Sequence, residues 1–122
     1  LRKREDPYWD RFPVQRGLFF AVIEDPKEGE LRVAFIVDHP EYSGRVFHSL
    51  AEHKPEIERL LRQGTELDMG EPDSFHRQLF IRRRADLTDR VRWPEYQAWT
   101  VEHLIRLRRA LRPHLRQVLS QL

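Results

Sequence analysis

The pattern of apolar positions predicts a hairpin near the start of the chain. Residues 17–24 are apolar on both alternating faces, which is typical of a central strand. Residues 31–38 are apolar at every second position, and the polar stretch 25–30 between the two segments contains the proline and glycine of a turn. We therefore predict a pair of strands over residues 17–38.

The next two segments predict a broken helix and a second hairpin. Residues 43–63 have the three- and four-residue spacing of an amphipathic helix. Pro55 fits the first turn of a helix but not its interior, so two short helices should meet near Lys54. Residues 65–84 return to alternation on either side of a turn at 70–73, which predicts the second hairpin.

The last segment, 93–122, predicts a long helix. Pro94 stands where the first turn of a helix accepts a proline. One side of this helix is an apolar stripe, formed by Tyr96, Thr100, Leu104, Leu107, Leu111, Leu115, Val118 and Leu122. Pro113 lies inside the pattern and should kink or split the helix near Arg112. Residues 1–16 are predicted as an N-terminal arm or a short helix.

Together these elements predict one α+β domain of 122 residues. An antiparallel sheet of about four strands in two hairpins, in the order ββαββα, should carry the helices on one face. The chain has no apolar run long enough for a membrane span and no cysteine. We therefore expect a cytoplasmic protein without contact to a membrane. Because the first residue is Leu1 and not methionine, we also expect a chain excised from a longer polypeptide.

Charge is distributed unevenly along this sequence. Residues 76–122 contain 11 of the 19 arginines, no lysine and four acidic residues, so this third carries about +7 and the rest about −5. A clustered positive field attracts anions whatever the fold beneath it. The distribution therefore indicates an anionic partner and says nothing about a reaction.

Two groups of arginines in the basic third are candidate contacts to nucleic-acid phosphates: Arg82, Arg83, Arg84, Arg108, Arg112 and Arg116. The first three follow one another at the end of a predicted strand. The last three are four residues apart and should form one ridge on the predicted helix, on the side away from its apolar stripe. Guanidinium groups bind phosphate oxygens in bidentate fashion, and each neutralised phosphate releases counterions. The alternative is a solvated or protein-facing ridge.

Trp99 is the candidate for base stacking. It lies off the apolar stripe of the predicted helix, near His103 and Arg106 on the helical wheel. An indole in that position can stack on an unpaired base. The alternative is that it covers the edge of the sheet or a partner surface, because tryptophans are highly buried on average.

The sequence contains no familiar catalytic, metal or cofactor motif. Its six histidines form no H-x-x-x-H or H-E-x-x-H pair, and its five glycines form no phosphate-binding loop. Asp38, Glu52 and Lys54 match the D…E-x-K order of metal-dependent nucleases. There the E-x-K pair projects from one face of a strand, whereas here it is predicted at a helix end beside a proline. We therefore predict no metal site, no cofactor and no catalytic site.

Two segments of the chain resemble domain-of-unknown-function family 4268. The first is W-P-E-x-x-x-W at 93–99, followed by Leu104, Arg108 and L-R-P at 111–113. The second is F-x-x-L-A-x-H-K-x-x-I-E at 47–58, which is similar to a helical part of that family. The resemblance implies a bacterial or archaeal domain of no established activity, often attached to nuclease-like domains. It brings no catalytic residues.

Two functional hypotheses follow from the sequence. The leading one is a non-catalytic accessory domain, within or beside a nuclease or defence protein, whose arginine ridge contacts nucleic-acid phosphates. The alternative is a protein-protein interaction or dimerisation module with no nucleic-acid role. In that case the acidic first part of one copy would meet the basic last third of another copy or of a partner domain.

Overall fold

The computed structural model describes residues 8–61, 65–70 and 77–121. The strands of the described chain form one antiparallel sheet: β1 (Tyr8–Gln15), β2 (Leu18–Asp25), β3 (Glu30–Val37), β4 (Asp68–Met69) and β5 (Arg77–Arg84). Its helices are α1 (Ser43–Glu52), α2 (Lys54–Leu60) and α3 (Trp93–Ser120), and a 3₁₀ turn at Arg90–Arg92 leads into α3. The predicted arm over 1–7, the predicted end of the second helix at 62–63, turn positions 71–73 and Leu122 lie outside these residues.

The sheet confirms the predicted α+β class and corrects its strand count. Five strands lie in the order β1-β2-β3-β5-β4, so the predicted four strands and the order ββαββα are not matched. The additional strand is β1, where the sequence predicted an arm or a short helix. Charged side chains and Pro13 obscure its alternation, but an edge strand tolerates a proline because one side of its backbone needs no partner.

β2 lies between β1 and β3, as its two apolar faces predicted. In the β1–β2 pair, Phe12 stands opposite Phe20. Residues opposite each other in a sheet share a face, so both phenylalanines lie on the same side. Phe20 belongs to the main core under the helices, whereas Phe12 is 45% exposed. The outer strand therefore carries apolar surface beyond the core.

The helical segments follow the sequence prediction except at one proline. α1 and α2 meet at His53, with Pro55 in the first turn of α2. α3 continues as one helix from Trp93 to Ser120, so of the kink or split predicted near Arg112, the split does not occur. Pro113 lies on the exposed side of α3, while Leu111, His114 and Leu115 near it are buried. This packing stabilises the helix across the missing backbone hydrogen bond.

The main core lies between the helices and one face of the sheet. Its largest members come from every layer of the fold: Leu18, Phe35, Leu50, Ile57, Leu79, Leu107 and Leu111. α3 packs mainly on β3 and, to a lesser extent, on β2. β1 therefore extends past the helical layer, and a cleft opens between β1 and α3. None of the described helices is long and apolar enough to cross a membrane.

Candidate functional site

The cleft between β1 and α3 consists of two depressions. One has a volume of about 460 Å³ and lies beside the first half of α3. The other has a volume of about 290 Å³ and lies beside the second half. Phe12 lines both of them. The exposed apolar face of β1 is therefore a wall common to the whole cleft.

The predicted arginine ridge lines the second depression. Arg108, Arg112 and Arg116 are exposed and border it together with Phe12 and Phe20. Each step of four residues along an α-helix advances about 6 Å, so the three arginines form a row about 12 Å long. The row lies on the flank of α3 that faces β1, not on the side turned away from the sheet. β1, which the sequence did not predict, is the reason that this flank forms a cleft.

The arginines of this row have no acidic neighbours in the described part of the chain. No carboxylate oxygen there lies within 4.0 Å of Arg108, Arg112 or Arg116. The Arg108 guanidinium instead lies 6.0 Å from the centre of the Phe20 ring. On the same helix, Arg106 is paired with Glu102. The positive charge of the row is thus not neutralised by its own helix.

The second predicted cluster, Arg82 to Arg84, borders a different, polar depression at the ends of β3 and β5. This polar depression has no lining residue in common with the depression that the row of arginines borders. Arg82 lies 3.6 Å from Glu30 and 3.4 Å from Asp68. Consecutive residues of a strand alternate between faces, so Arg83 points to the helices while its neighbours do not. The structure therefore separates this cluster from the row on α3.

Arg83 connects β5 to the start of α3. Its Nη2 lies 3.6 Å from Glu95 Oε1, and its guanidinium lies 5.1 Å from the centre of the Tyr96 ring. Glu95 also accepts two hydrogen bonds from Arg92, at 3.0 and 3.2 Å. These bonds to Arg92 are the largest of the effects that hold the pKa of Glu95 below its usual value. Arg83 and Arg92 thus share one carboxylate at the beginning of α3.

Trp99 is partly buried and contacts the main core. Its ring stacks on His103, with the ring centres 4.4 Å apart and the planes inclined by 23°. The guanidinium of Arg83 lies 5.9 Å from the centre of the indole. Trp99 does not line either depression of the cleft. Trp99 thus contacts side chains of its own chain outside the cleft, and its stacking on a base stays a prediction.

The first depression has a different character from the basic one. It is mainly apolar, and Asp10 and Glu24 lie at its border. Trp93 is 43% exposed there and is held in place because its Nε1 donates a hydrogen bond of 2.9 Å to the Leu87 carbonyl. The cleft as a whole is therefore acidic and apolar at one end and basic at the other.

Outside the cleft, the fold assembles a cluster that the sequence did not predict. His53, Glu56 and His114 each place one potential metal-binding atom within 4.8 Å of the others. The two imidazole rings stack with their centres 4.7 Å apart. His53 and His114 are distant in the chain, so no spacing rule could find the pair. The one signal in the sequence is that a histidine at 114 falls beside the apolar stripe of a helix.

Comparisons with known proteins bear on the family and not on the site. No curated protein and no solved structure matches the chain significantly. The family model "Domain of unknown function (DUF4268)" matches residues 5–115, which is most of the chain and includes the histidine cluster and the cleft except for Arg116 and Leu119. The sequence resemblance is confirmed, and the chain belongs to this family of domains of unknown function.

Proposed function

We propose that this domain is a non-catalytic accessory module that binds single-stranded nucleic acid in the basic half of the cleft. The observation that carries the proposal is the row of Arg108, Arg112 and Arg116. These residues are exposed, evenly spaced and without acidic partners in the described chain, and they border one concave surface. A row of guanidinium groups is suited to the successive phosphates of one strand.

The wall opposite the arginines favours a single strand over a duplex. Phe12 is 45% exposed and Val14 is 44% exposed, and both line the basic depression. Proteins that bind single strands combine a positive groove for the backbone with aromatic side chains on which bases stack. In a duplex the bases are already stacked and paired, so this apolar wall would have no partner.

The acidic end of the cleft limits the site to its basic half. Asp10 and Glu24 would repel phosphates that approached the first depression. The contacts available to the strand are therefore few, and binding should be weak and tolerant of sequence. Such a module would serve a nuclease-like or other nucleic-acid-processing partner by holding its substrate.

The test is a binding titration with a fluorescently labelled single-stranded oligonucleotide at low salt, read by anisotropy. The variant Arg108→Glu, Arg112→Glu, Arg116→Glu should lose binding. Its control changes three exposed arginines away from the cleft to glutamate, namely Arg45, Arg59 and Arg109, which alters the net charge equally. The control should retain most of the affinity. Equal loss in both variants, or no binding by the unaltered protein, would contradict the proposal.

A second candidate function is self-association through the same cleft. Its support is the opposite charge at the two ends, with Asp10 and Glu24 at one and the arginine row at the other. Two copies related by a two-fold axis would place the acidic end of one against the basic end of its partner. Exposed Phe12, Trp93 and Val14 would then be buried.

Light scattering without nucleic acid distinguishes the two functions. A dimer that dissociates as salt is raised, and that Asp10→Lys together with Glu24→Lys abolishes, supports self-association. A monomer at low salt rules it out and leaves the cleft open to a strand.

A further inference from the structure

We propose that His53, Glu56 and His114 bind a divalent zinc ion that joins the α1–α2 junction to α3. His53 is the residue between the two short helices, Glu56 lies in the first turn of α2, and His114 lies in the second half of α3. Two imidazoles and one carboxylate are a ligand set that zinc accepts. This inference is independent of the proposed binding of nucleic acid.

The two carboxylate–imidazole distances are close to those that one metal ion requires, whereas the stacked rings of His53 and His114 would have to turn, because a metal lies in the plane of each imidazole that binds it. Glu56 Oε2 lies 3.7 Å from His53 Nδ1 and 3.8 Å from His114 Nε2. Zinc bonds nitrogen and oxygen ligands at about 2.0–2.2 Å, so two ligands at a tetrahedral angle are about 3.4 Å apart. The carboxylate would move by less than about half an ångström relative to each imidazole. Such a change is within the reach of Glu56, whose side chain is 56% exposed.

His114 gives an independent reason to expect a ligand. It is 9% exposed, and in the described part of the chain neither nitrogen of its ring has a hydrogen-bond partner. The Glu56 carboxylate, at 3.8 Å, is too distant for a hydrogen bond. A buried polar group without a partner is rare in native proteins and calls for an explanation such as a bound ion. A metal on Nε2 would satisfy this nitrogen.

The protonation state of His114 suits metal binding. Burial, followed by the nearby His53, lowers the pKa of the His114 imidazole below its usual value of 6.5. Glu56 acts in the opposite direction but is the smallest of the three effects. A lowered pKa favours the neutral imidazole, which is the form that coordinates a metal.

The chemistry of the ligands selects the ion. Imidazole suits zinc and its first-row neighbours, whereas magnesium and calcium prefer oxygen ligands only. The described cluster offers three protein ligands, so the fourth position of a tetrahedral site would be taken by water on the side of exposed Glu56. The ion would tie α2, a helix of seven residues, to the long helix that forms one wall of the cleft.

The test is a zinc titration of the chelator-treated full chain, followed by calorimetry and by thermal unfolding. We expect saturation at one zinc ion per chain and an increase in the melting temperature. Substituting Co²⁺ should give the visible absorption of a tetrahedral site with nitrogen and oxygen ligands. These readouts need neither activity nor nucleic acid.

Two variants and their matched controls decide the site. His53→Ala and Glu56→Gln each remove one ligand at an accessible position, so the fold should survive. Each should weaken zinc binding by more than the roughly tenfold that changes around a metal site produce. His48→Ala and Glu52→Gln change the same residue types at exposed positions on α1 and should bind zinc like the unaltered protein. Absence of saturable binding, or equal affinity in all four variants, would overturn the proposal.

Discussion

Gly17 lies directly against His39, so that a Cβ atom on Gly17 would come within 2.5 Å of the His39 Cα. Gly17 has a φ of +74° in the turn between β1 and β2. Its carbonyl also accepts a hydrogen bond of 2.7 Å from the backbone N–H of Asp38. The turn is therefore fixed to the end of β3, and this contact positions β1 as the wall of the cleft.

Gly17→Ala should destabilise the fold far more than Gly29→Ala. Both glycines have positive φ, so alanine costs about 1 kcal/mol at either position through backbone strain. At Gly29 the new Cβ would lie 3.6 Å from the nearest carbonyl, an ordinary contact, whereas at Gly17 the backbone has to move. We expect the free energies of unfolding, measured in urea, to differ by at least about 2 kcal/mol. Equal losses would show that the contact with His39 is not tight.

Tyr96→Phe should remove about 1 kcal/mol from the free energy of unfolding. The Tyr96 hydroxyl accepts a hydrogen bond of 3.0 Å from the backbone N–H of Asp86, which ties the segment after β5 to the first turns of α3. Loss of a partly buried bond of this kind costs about 0.5–1.5 kcal/mol. Tyr42→Phe is the control, because the Tyr42 hydroxyl has no hydrogen bond in the described chain. A loss as large in the control would assign the effect to packing.

Glu95 should make the free energy of unfolding of the domain depend on pH in the acidic range. Its pKa is held below the usual 4.5, first by the hydrogen bonds from Arg92. The folded state therefore favours the ionised carboxylate, and its contribution is complete above pH 4.5. The contribution is lost as pH falls through the lower pKa of the folded state. NMR titration of the carboxyl group measures this pKa directly, and Glu95→Gln should flatten the acid side of the stability profile. A pKa at or above 4.5 would contradict the account.

Phe12→Ala should weaken binding of a single strand and leave the fold almost unchanged. The ring is 45% exposed in the cleft and adds little to the core. Stacking of a base on an aromatic side chain contributes about 1–3 kcal/mol, so the dissociation constant should rise at least about fivefold. Leu60→Ala removes an exposed apolar side chain on α2, outside the cleft, and should not change the affinity. A dissociation constant unchanged by Phe12→Ala would exclude base stacking at this wall.

The elements that the sequence predicted are those whose own apolar and proline positions indicate their conformation. The two apolar faces of β2 and the position of Pro55 gave a central strand and a helix boundary, and both are observed. β1 could not be predicted in the same way. It pairs with β2 across a two-residue turn, but Pro13 and its charged neighbours disguise the alternation that would reveal a strand.

The candidate sites also differ in how far the sequence predicts them. The spacing of Arg108, Arg112 and Arg116 follows from helical periodicity, so the row could be predicted from the sequence. The cleft that it borders depends on β1. The approach of His53 to His114 depends on how α3 crosses the helical layer, a tertiary arrangement that spacing does not encode.

The most direct test of the central claim is the salt dependence of single-strand binding. Each phosphate that the protein neutralises on a single strand contributes about −0.7 to the slope of log K against log salt, so the three arginines predict about −2. Affinity should then fall about 20-fold between 50 and 200 mM salt. In Arg108→Glu, Arg112→Glu, Arg116→Glu the slope should approach zero, whereas the Arg45, Arg59 and Arg109 control should keep it. A slope that the first variant leaves unchanged would contradict the assignment of this cleft to a nucleic-acid strand.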